Sequence, residues 1–314
     1  MSKIITISIE ADGDDFISVG DVYLKNSQYG TALEIFKAAA PKSGGGRSKI
    51  KTRLALLEKW QAKDAGILAF MVENLLSIEK FQEQRNLGQV YVGYGLISFQ
   101  KNQGFLNDAR LLELSEKHSH LLPVPGWHWN LHTVLWAISH ALKLPGDFVE
   151  LGVFKGHTTK IMAEYFDFGE VKKSWYLYDT FEGIPEDQLD SDRWRVANEQ
   201  TYKNTYSYEA VREEFVQYPN INVIKGRVPE ILENNCPKQI AFMHVDLNNT
   251  KAEIAALDFL FDTHMVPGGV VLFDDFGWLS AHMQFAAENA WAEKRSLKIL
   301  ELPTGQGLLL KPAS

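Results

Sequence analysis

Five short apolar runs alternate with helix-period segments through the second part of the chain, and this alternation limits the fold more than any other feature. The runs are Phe148 to Val153, Ser174 to Tyr178, Ile221 to Ile224, Ile240 to Val245 and Val270 to Phe273. They have strand length and are apolar on both faces, as expected of parallel strands covered by helices on two sides. Between them, Thr158 to Phe166, Tyr208 to Gln217 and Ala252 to Phe261 read as helices. Residues 299–311 (ILELPTGQGLLLK) supply two closing strands around a Gly-rich turn. The expected class is α/β, a sheet with helices on both faces. In such sheets ligands bind beyond the carboxyl ends of the strands.

The first hundred-odd residues follow a different period. Phe16, Gly20, Tyr23, Ala32, Phe36 and Ala39 recur at helical spacing around a turn at Asn26-Ser27, as a helix–turn–helix pair requires. The spacing resembles a single tetratricopeptide repeat. Pro41 lies about three residues early for that repeat, and stacks of this kind need about three copies. One helical pair, used for packing or dimerisation, fits better than a solenoid. PKSGGGR (Pro41 to Arg47) breaks the pattern. Leu54, Leu57, Ile67 or Leu68, Met71, Leu75 and Ile78 then continue at three- and four-residue steps, and Leu111 to Leu122 follow suit. Pro123-Val-Pro125-Gly126 closes the helical part. The expected division is 1–122, an all-helical N-terminal region, and 123–314, the sheet domain.

Lys and Arg number 32 against 40 Asp and Glu, a net charge of −8 with no basic run. That balance argues against nucleic acid or an anionic membrane as the partner. One cysteine, Cys236 in an Asn-Asn-Cys-Pro turn, removes disulfide frameworks and cysteine-based zinc sites. The apolar stretch Ile4 to Ile9 is too short for a signal core, and Ala65 to Val72 is far short of a membrane span. A cytoplasmic setting is expected.

The strand ends carry the chemistry. The first ends in Glu150-Leu-Gly152-Val-Phe-Lys-Gly156-His-Thr158, where two glycines allow a sharp turn and close approach of a ligand to the main chain. The intervals differ from the dinucleotide fingerprint G-x-G-x-x-G. Asp179, at the next strand end, is placed either to accept hydrogen bonds from ribose hydroxyls or to cap the turn that follows. Asp246, Asp274 and Asp275 end two further runs. Three carboxylates at neighbouring strand ends repel one another unless compensated. A hard divalent cation, Mg²⁺ or Ca²⁺, would provide that compensation; a loop-capping role for Asp275 is the alternative.

GDFVELGVFKGHT, YLYDTFEGIPE, VIKGRVPEIL, IAFMHVDLN and VPGGVVLFDDFG, in this order, resemble a class I S-adenosylmethionine-dependent methyltransferase with a Rossmann-like sheet. Within that class they resemble the macrocin O-methyltransferase family, which acts on sugar hydroxyls of natural products. The resemblance covers roughly residues 125–312, about 60 % of the chain. It implies that Glu150, Gly152 and Gly156 line the methionine end of the cofactor, and that Asp179 binds its ribose. Gly226 and Arg227 would lie near the adenine. Asp246, Asp274 and Asp275 would hold Mg²⁺. Two positions depart from the pattern: Asn248 stands where an Asp is common, removing one charge from a metal site, and Phe276 stands where Tyr is frequent.

Methyl transfer is an in-line displacement, so positioning supplies much of the rate, and a base must take the acceptor's proton. Asp246 is the first candidate and His282, at the head of an expected helix, the second. Trp127-His-Trp129-Asn-Leu-His132 either packs a helix or covers the site, with His128 or His132 at the acceptor. His157 caps the following helix or touches the cofactor. The polar stretch Asp190 to Thr205 has the length of a lid, and Arg193 or Arg195 would meet an anionic acceptor. A small-molecule acceptor and a homo-oligomer are expected. A nicotinamide oxidoreductase and a non-catalytic scaffold carrying a methyltransferase-like domain are the rival classes.

Overall fold

The computed structural model describes residues 13–25, 29–40, 47–60, 72–80, 91–98, 100–121, 126–190, 195–196, 198–203 and 205–313. Outside these lie Ile4 to Ile9, the Asn26-Ser27 turn, most of the Pro41 break, Ile67, Leu68, Met71, the 122/123 division with its prolines, and Arg193. The chain divides into two compact units, one of residues 1–107 and 122–129, the other of 108–121 and 130–314.

In the first unit, α1 (Gly13–Lys25), α2 (Tyr29–Ala39) and α3 (Arg47–Trp60) pack with a helical run over 72–80 around Leu24, Ala32, Phe36, Ile50 and Leu75. Gly20 is needed at the α1–α2 contact, because a Cβ there would lie 2.3 Å from the Phe36 ring. The buried Arg53 guanidinium binds Asp21 and Glu79 across the helices. Beyond these helices the unit carries an antiparallel hairpin, β1 (Tyr91–Gly93) and β2 (Leu96–Ser98). Its turn at Tyr94-Gly95 has positive φ at both residues, the backbone that tight hairpins favour. Three-residue strands are too short to leave a periodic signature, which is why only helices are visible in the sequence there.

In the second unit α4 (Ala109–Lys117), capped by the Asp108 side chain at Leu111 N–H, packs on α6 (His157–Tyr165). Arg110 reaches Asp167, and Lys117 and His118 reach Glu164. The helix α5 (His128–Ala141) buries Leu131, Val134 and Ile138, and after α6 come the short helices α7 (Tyr208–Glu214) and α8 (Leu232–Asn235).

The sheet of this unit has seven strands: β3 (Asp147–Leu151), β4 (Trp175–Asp179), β5 (Ile221–Lys225), β6 (Ile240–Val245), β7 (Met265–Phe273), β8 (Leu300–Glu301) and β9 (Gly307–Leu310). Their order is β5-β4-β3-β6-β7-β9-β8, with β3 to β7 parallel to one another, β9 antiparallel to β7, and β8 antiparallel to β9. The expected strands, including the closing pair, fall within a few residues of these. All six residues of β6 are buried, because helices cover both faces of a central parallel strand. After β3 the chain builds one side through β4 and β5, then returns to build the other from β6. The switch point therefore lies between the ends of β3 and β6.

Candidate active site

Beyond β3 the chain turns at Gly152, whose φ is +87° and where a Cβ would sit 2.0 Å from the Asp246 carbonyl oxygen. Glycine is what lets this strand end lie against the end of β6. Gly156, at φ +75°, begins α6, with the Phe215 ring 2.8 Å from a notional Cβ. The Asp179 carboxylate ties the turn down. Its Oδ2 accepts the Val153 and Phe154 N–H groups at 2.8 and 2.9 Å, and its Oδ1 accepts Phe181 N–H at 2.7 Å. Tyr206 also donates its hydroxyl to Oδ1, at 3.3 Å. Asp179 thus caps its own turn and the glycine turn together, and Gly226 N–H donates to its carbonyl at 2.9 Å.

The loop after β4 is equally determined. Thr180 Oγ1 donates to the Gly183 carbonyl at 2.6 Å. The buried Asn198 side chain accepts from Ile184 N–H and donates to Ile184 C=O, each at 2.8 Å. A Cβ at Gly183 would lie 2.5 Å from Asn198 Oδ1. Gly226, Arg227, Thr180 and Gly183 line a cavity of about 380 Å³ at the ends of β4 and β5. Arg227 faces Asp187 at 2.6 Å and Glu230 at 3.3 Å, and holds the Asp187 carboxyl below its usual range.

At the ends of β3, β6 and β7 a row of buried polar groups crosses the sheet. Register places Glu150 beside His244. His244 Nδ1 is 3.1 Å from Glu150 Oε1 and its Nε2 is 3.6 Å from Asp274 Oδ1. Burial lowers the His244 pKa, but Asp274 and Glu150 outweigh it and the imidazole is raised well above its ordinary value. Thr159 Oγ1 donates to Glu150 Oε2. The carboxyl of Asp246 is itself raised well above the usual carboxylate range, by burial first and then by Asp274 and Asp275. Asn248 donates its amide to Asp246 Oδ1 at 2.9 Å.

His244 is the site residue that motif spacing does not single out, since histidine in an apolar strand reads as core. The signal that was present is its position two residues before Asp246, hence on the same strand face. Two tyrosines are also new to the site. Tyr202 and Tyr206 meet the Phe154 ring edge-on at 5.7 and 4.8 Å. Both hydroxyls are pushed up by burial first, and then chiefly by Asp275 for Tyr202 and by Asp179 for Tyr206. Tyr202 comes from the stretch expected as a lid, which carries a five-residue π-helical turn at Asn198–Tyr202, and Tyr206 follows just beyond it.

Buried His157 is pushed down to about 4, by burial above all. Behind the cluster, Glu253 on α9 (Thr250–Leu260) and Glu288 on α10 (His282–Glu293) are both buried. Glu253 accepts from Leu247 N–H and from Gln284. Burial, Glu288 and Asp275 raise Glu253, and burial raises Glu288 to about 8.

The remaining candidates are placed as follows. His282 opens α10 and is exposed. Burial lowers His132. Within the first unit Trp127 stacks on Tyr94 at 4.7 Å, and Trp129 meets Tyr91 and Phe105, which is packing around the hairpin. Arg195 pairs with Glu186 on the surface. Cys236 lies beside His264, its thiol pushed up by burial. Phe276 is buried against Phe273 and Phe285.

Oxygen donors from Asp246, Asp274 and Asp275, crowded enough to shift Asp246, are the donor chemistry of a hard divalent cation. Among the described residues, no three His, Cys, Asp or Glu side chains are arranged to hold a metal ion. The donor types fit; their present disposition does not close a shell. Among the described residues no helix is long and apolar enough to cross a membrane.

The family profile of the macrocin-O-methyltransferases (TylF) matches residues 129–300. No curated protein matches the chain. Among solved structures, the O-methyltransferase NovP is similar with a TM-score of 0.51 and 19 % identity, covering 59 % of this chain and 80 % of NovP. The calicheamicin methyltransferase CalS11 follows with 0.46 and 18 % identity, over 64 % of this chain and 91 % of that one. The SAH-bound Podospora anserina methyltransferase PaMTH1 gives 0.42 and 14 %, over 77 % and 96 %. The likeness to NovP is one of fold.

Proposed function

Because the chain belongs to the macrocin-O-methyltransferase (TylF) family, with more than half of its length matched, we propose that it methylates a hydroxyl of a small sugar or natural-product acceptor with the help of a divalent cation. The protein is an S-adenosylmethionine-dependent methyltransferase. The observation that supports the finer reading is that Asp246, whose carbonyl lies against the Gly152 turn, feels the charges of Asp274 and Asp275. Carboxylates and the cofactor turn share one strand-end rim.

In this reading Asp179 and the turn it fixes receive the ribose, Glu150, Gly152 and Gly156 border the methionine end, and Gly226 and Arg227 border the adenine. Asp246, Asp274 and Asp275 are the residues that would hold Mg²⁺. When bound, the sulfonium supplies an electrophilic methyl and a neutral thioether leaving group, and the cation lowers the pKa of the acceptor hydroxyl. For the acceptor hydroxyl to displace the thioether from the methyl carbon, its proton would have to leave, and Asp246 is the first candidate to take it or to assist through the metal. His282, exposed at the head of α10, is the second candidate base. Tyr202 and Tyr206, packed on Phe154, exclude water from the methyl-transfer line.

The reading is tested by incubating the full chain with methyl-labelled S-adenosylmethionine and a panel of glycosides and polyketide alcohols, with Mg²⁺ or with chelator. Labelled product that disappears with chelator supports it. Product formed equally in chelator removes the metal from the reading, and label found only on nitrogen acceptors overturns the hydroxyl assignment.

A further inference from the structure

Six buried polar side chains form a continuous row along the strand-end rim, and only part of it is used by the chemistry above. Thr159 Oγ1 on α6 donates to Glu150 Oε2, and Glu150 Oε1 lies 3.1 Å from His244 Nδ1. His244 Nε2 lies 3.6 Å from Asp274 Oδ1, an ion-pair contact rather than a hydrogen bond. Gln306 Nε2 donates to the same Oδ1 at 3.2 Å, and Thr304 Oγ1 lies 3.0 Å from Gln306 Oε1. None of the six is more than 6 % exposed.

A row of this kind is costly unless each member is paired. His244 is its centre. It stands on β6, the strand between β3 and β7, and its two ring nitrogens face carboxylates from those two neighbours. Glu150 has one other side-chain partner in the row, Thr159, and Asp274 has one other, Gln306. Removing the ring leaves each buried carboxylate with a single neighbour and freedom to rotate, while no packing demand calls for a polar residue here. Phe242, two residues earlier on the same strand, is equally buried and apolar.

We propose that His244 is a positioning residue for two subsites at once, fixing the Glu150 carboxylate at the cofactor end and the Asp274 carboxylate at the acceptor end. This deepens the proposed function and rests on it. The ring acts through the two carboxylates and touches neither substrate. Both subsites therefore depend on one side chain, and each dependence disappears when its own carboxylate is replaced.

The test uses the full chain, with S-adenosylhomocysteine followed by calorimetry and Mn²⁺ followed by electron spin resonance. His244→Phe is expected to weaken both ligands by about tenfold to about a hundredfold, the usual size for a partner that orients a liganding group. His244→Gln, which keeps a donor, is expected to recover much of each loss. In a Glu150→Gln background, His244→Phe should cost little further S-adenosylhomocysteine affinity but still weaken Mn²⁺; in an Asp274→Asn background the pattern reverses. A merely structural role would instead give losses that persist in both backgrounds. If His244→Phe does not fold, His244→Gln carries the same cycle with smaller changes. Wild-type affinities in the His244 variants, or losses undiminished in both backgrounds, overturn the inference while leaving the cofactor reading intact. Failure of the wild-type chain to bind S-adenosylhomocysteine overturns the cofactor reading and this inference with it.

Discussion

The Asp179 carboxylate accepts the backbone N–H of Phe154 at 2.9 Å, so the end of one strand holds the glycine turn at the end of its neighbour. Val153 and Phe181 N–H groups complete the set. Charge-assisted bonds of this type contribute about 1.5 to 3 kcal/mol each when buried. Asp179→Ala is therefore expected to lower S-adenosylhomocysteine affinity by about tenfold or more, tenfold corresponding to about 1.4 kcal/mol. Asp179→Asn, which keeps one acceptor oxygen, should lose less. Calorimetric titration of the two variants checks the order.

Gly152→Ala forces a side chain into positive φ and against the Asp246 carbonyl, 2.0 Å away. The atoms that the new Cβ meets are backbone, so no flexible side chain can yield. Thermal unfolding is expected to show a loss of about 2 to 4 kcal/mol, with cofactor binding lost in whatever folds. An unchanged melting temperature would mean that β3 and β6 do not meet as described.

His157, fully buried, has its pKa pushed down from 6.5 to about 4. A depressed folded-state value means that the unfolded chain binds the proton more readily. The stability tied to this group is complete above about pH 6.5 and is lost as pH falls towards 4. The loss is on the order of 3 kcal/mol. His157→Gln should flatten the decline of stability between pH 6.5 and 4 in urea unfolding; parallel curves for the two proteins would contradict it.

Glu288 has the opposite sign. Its folded value is raised from 4.5 to about 8, so its contribution is complete below pH 4.5 and is lost as pH rises through 8. Glu288→Gln, neutral throughout, is expected to be more stable than the wild type at pH 8 to 9 and equal to it near pH 4. Melting curves across that range decide it, and a variant less stable at pH 9 would show that the charged carboxylate is wanted.

Much of the sheet was legible because its central strands must be apolar on both faces. The period change between helical and strand segments then places the strand ends, and with them Glu150, Asp179, Asp246, Asp274 and Asp275. What local pattern does not carry is pairing across strands. His244 becomes a site residue only through its register with Glu150 and its reach to Asp274. Likewise, Tyr202 and Tyr206 join the site because Asn198 pins their loop to Ile184, a contact fourteen residues apart. The family resemblance implies that Arg227 lies near the adenine. The structure shows it also engaged with Asp187 and Glu230, which no spacing rule anticipates. The hairpin at Tyr91 to Ser98 leaves no mark in the sequence pattern, because three-residue strands do not make a period.

The central claim is that the rim joining Gly152, Asp179 and Glu150 binds the methyl donor. Titration of S-adenosylhomocysteine into the full chain by calorimetry, with NADH as the control ligand, tests it most directly. The account predicts micromolar binding of S-adenosylhomocysteine, weakened by Asp179→Ala, and no binding of NADH. Absence of S-adenosylhomocysteine binding, or tighter binding of NADH, would contradict it.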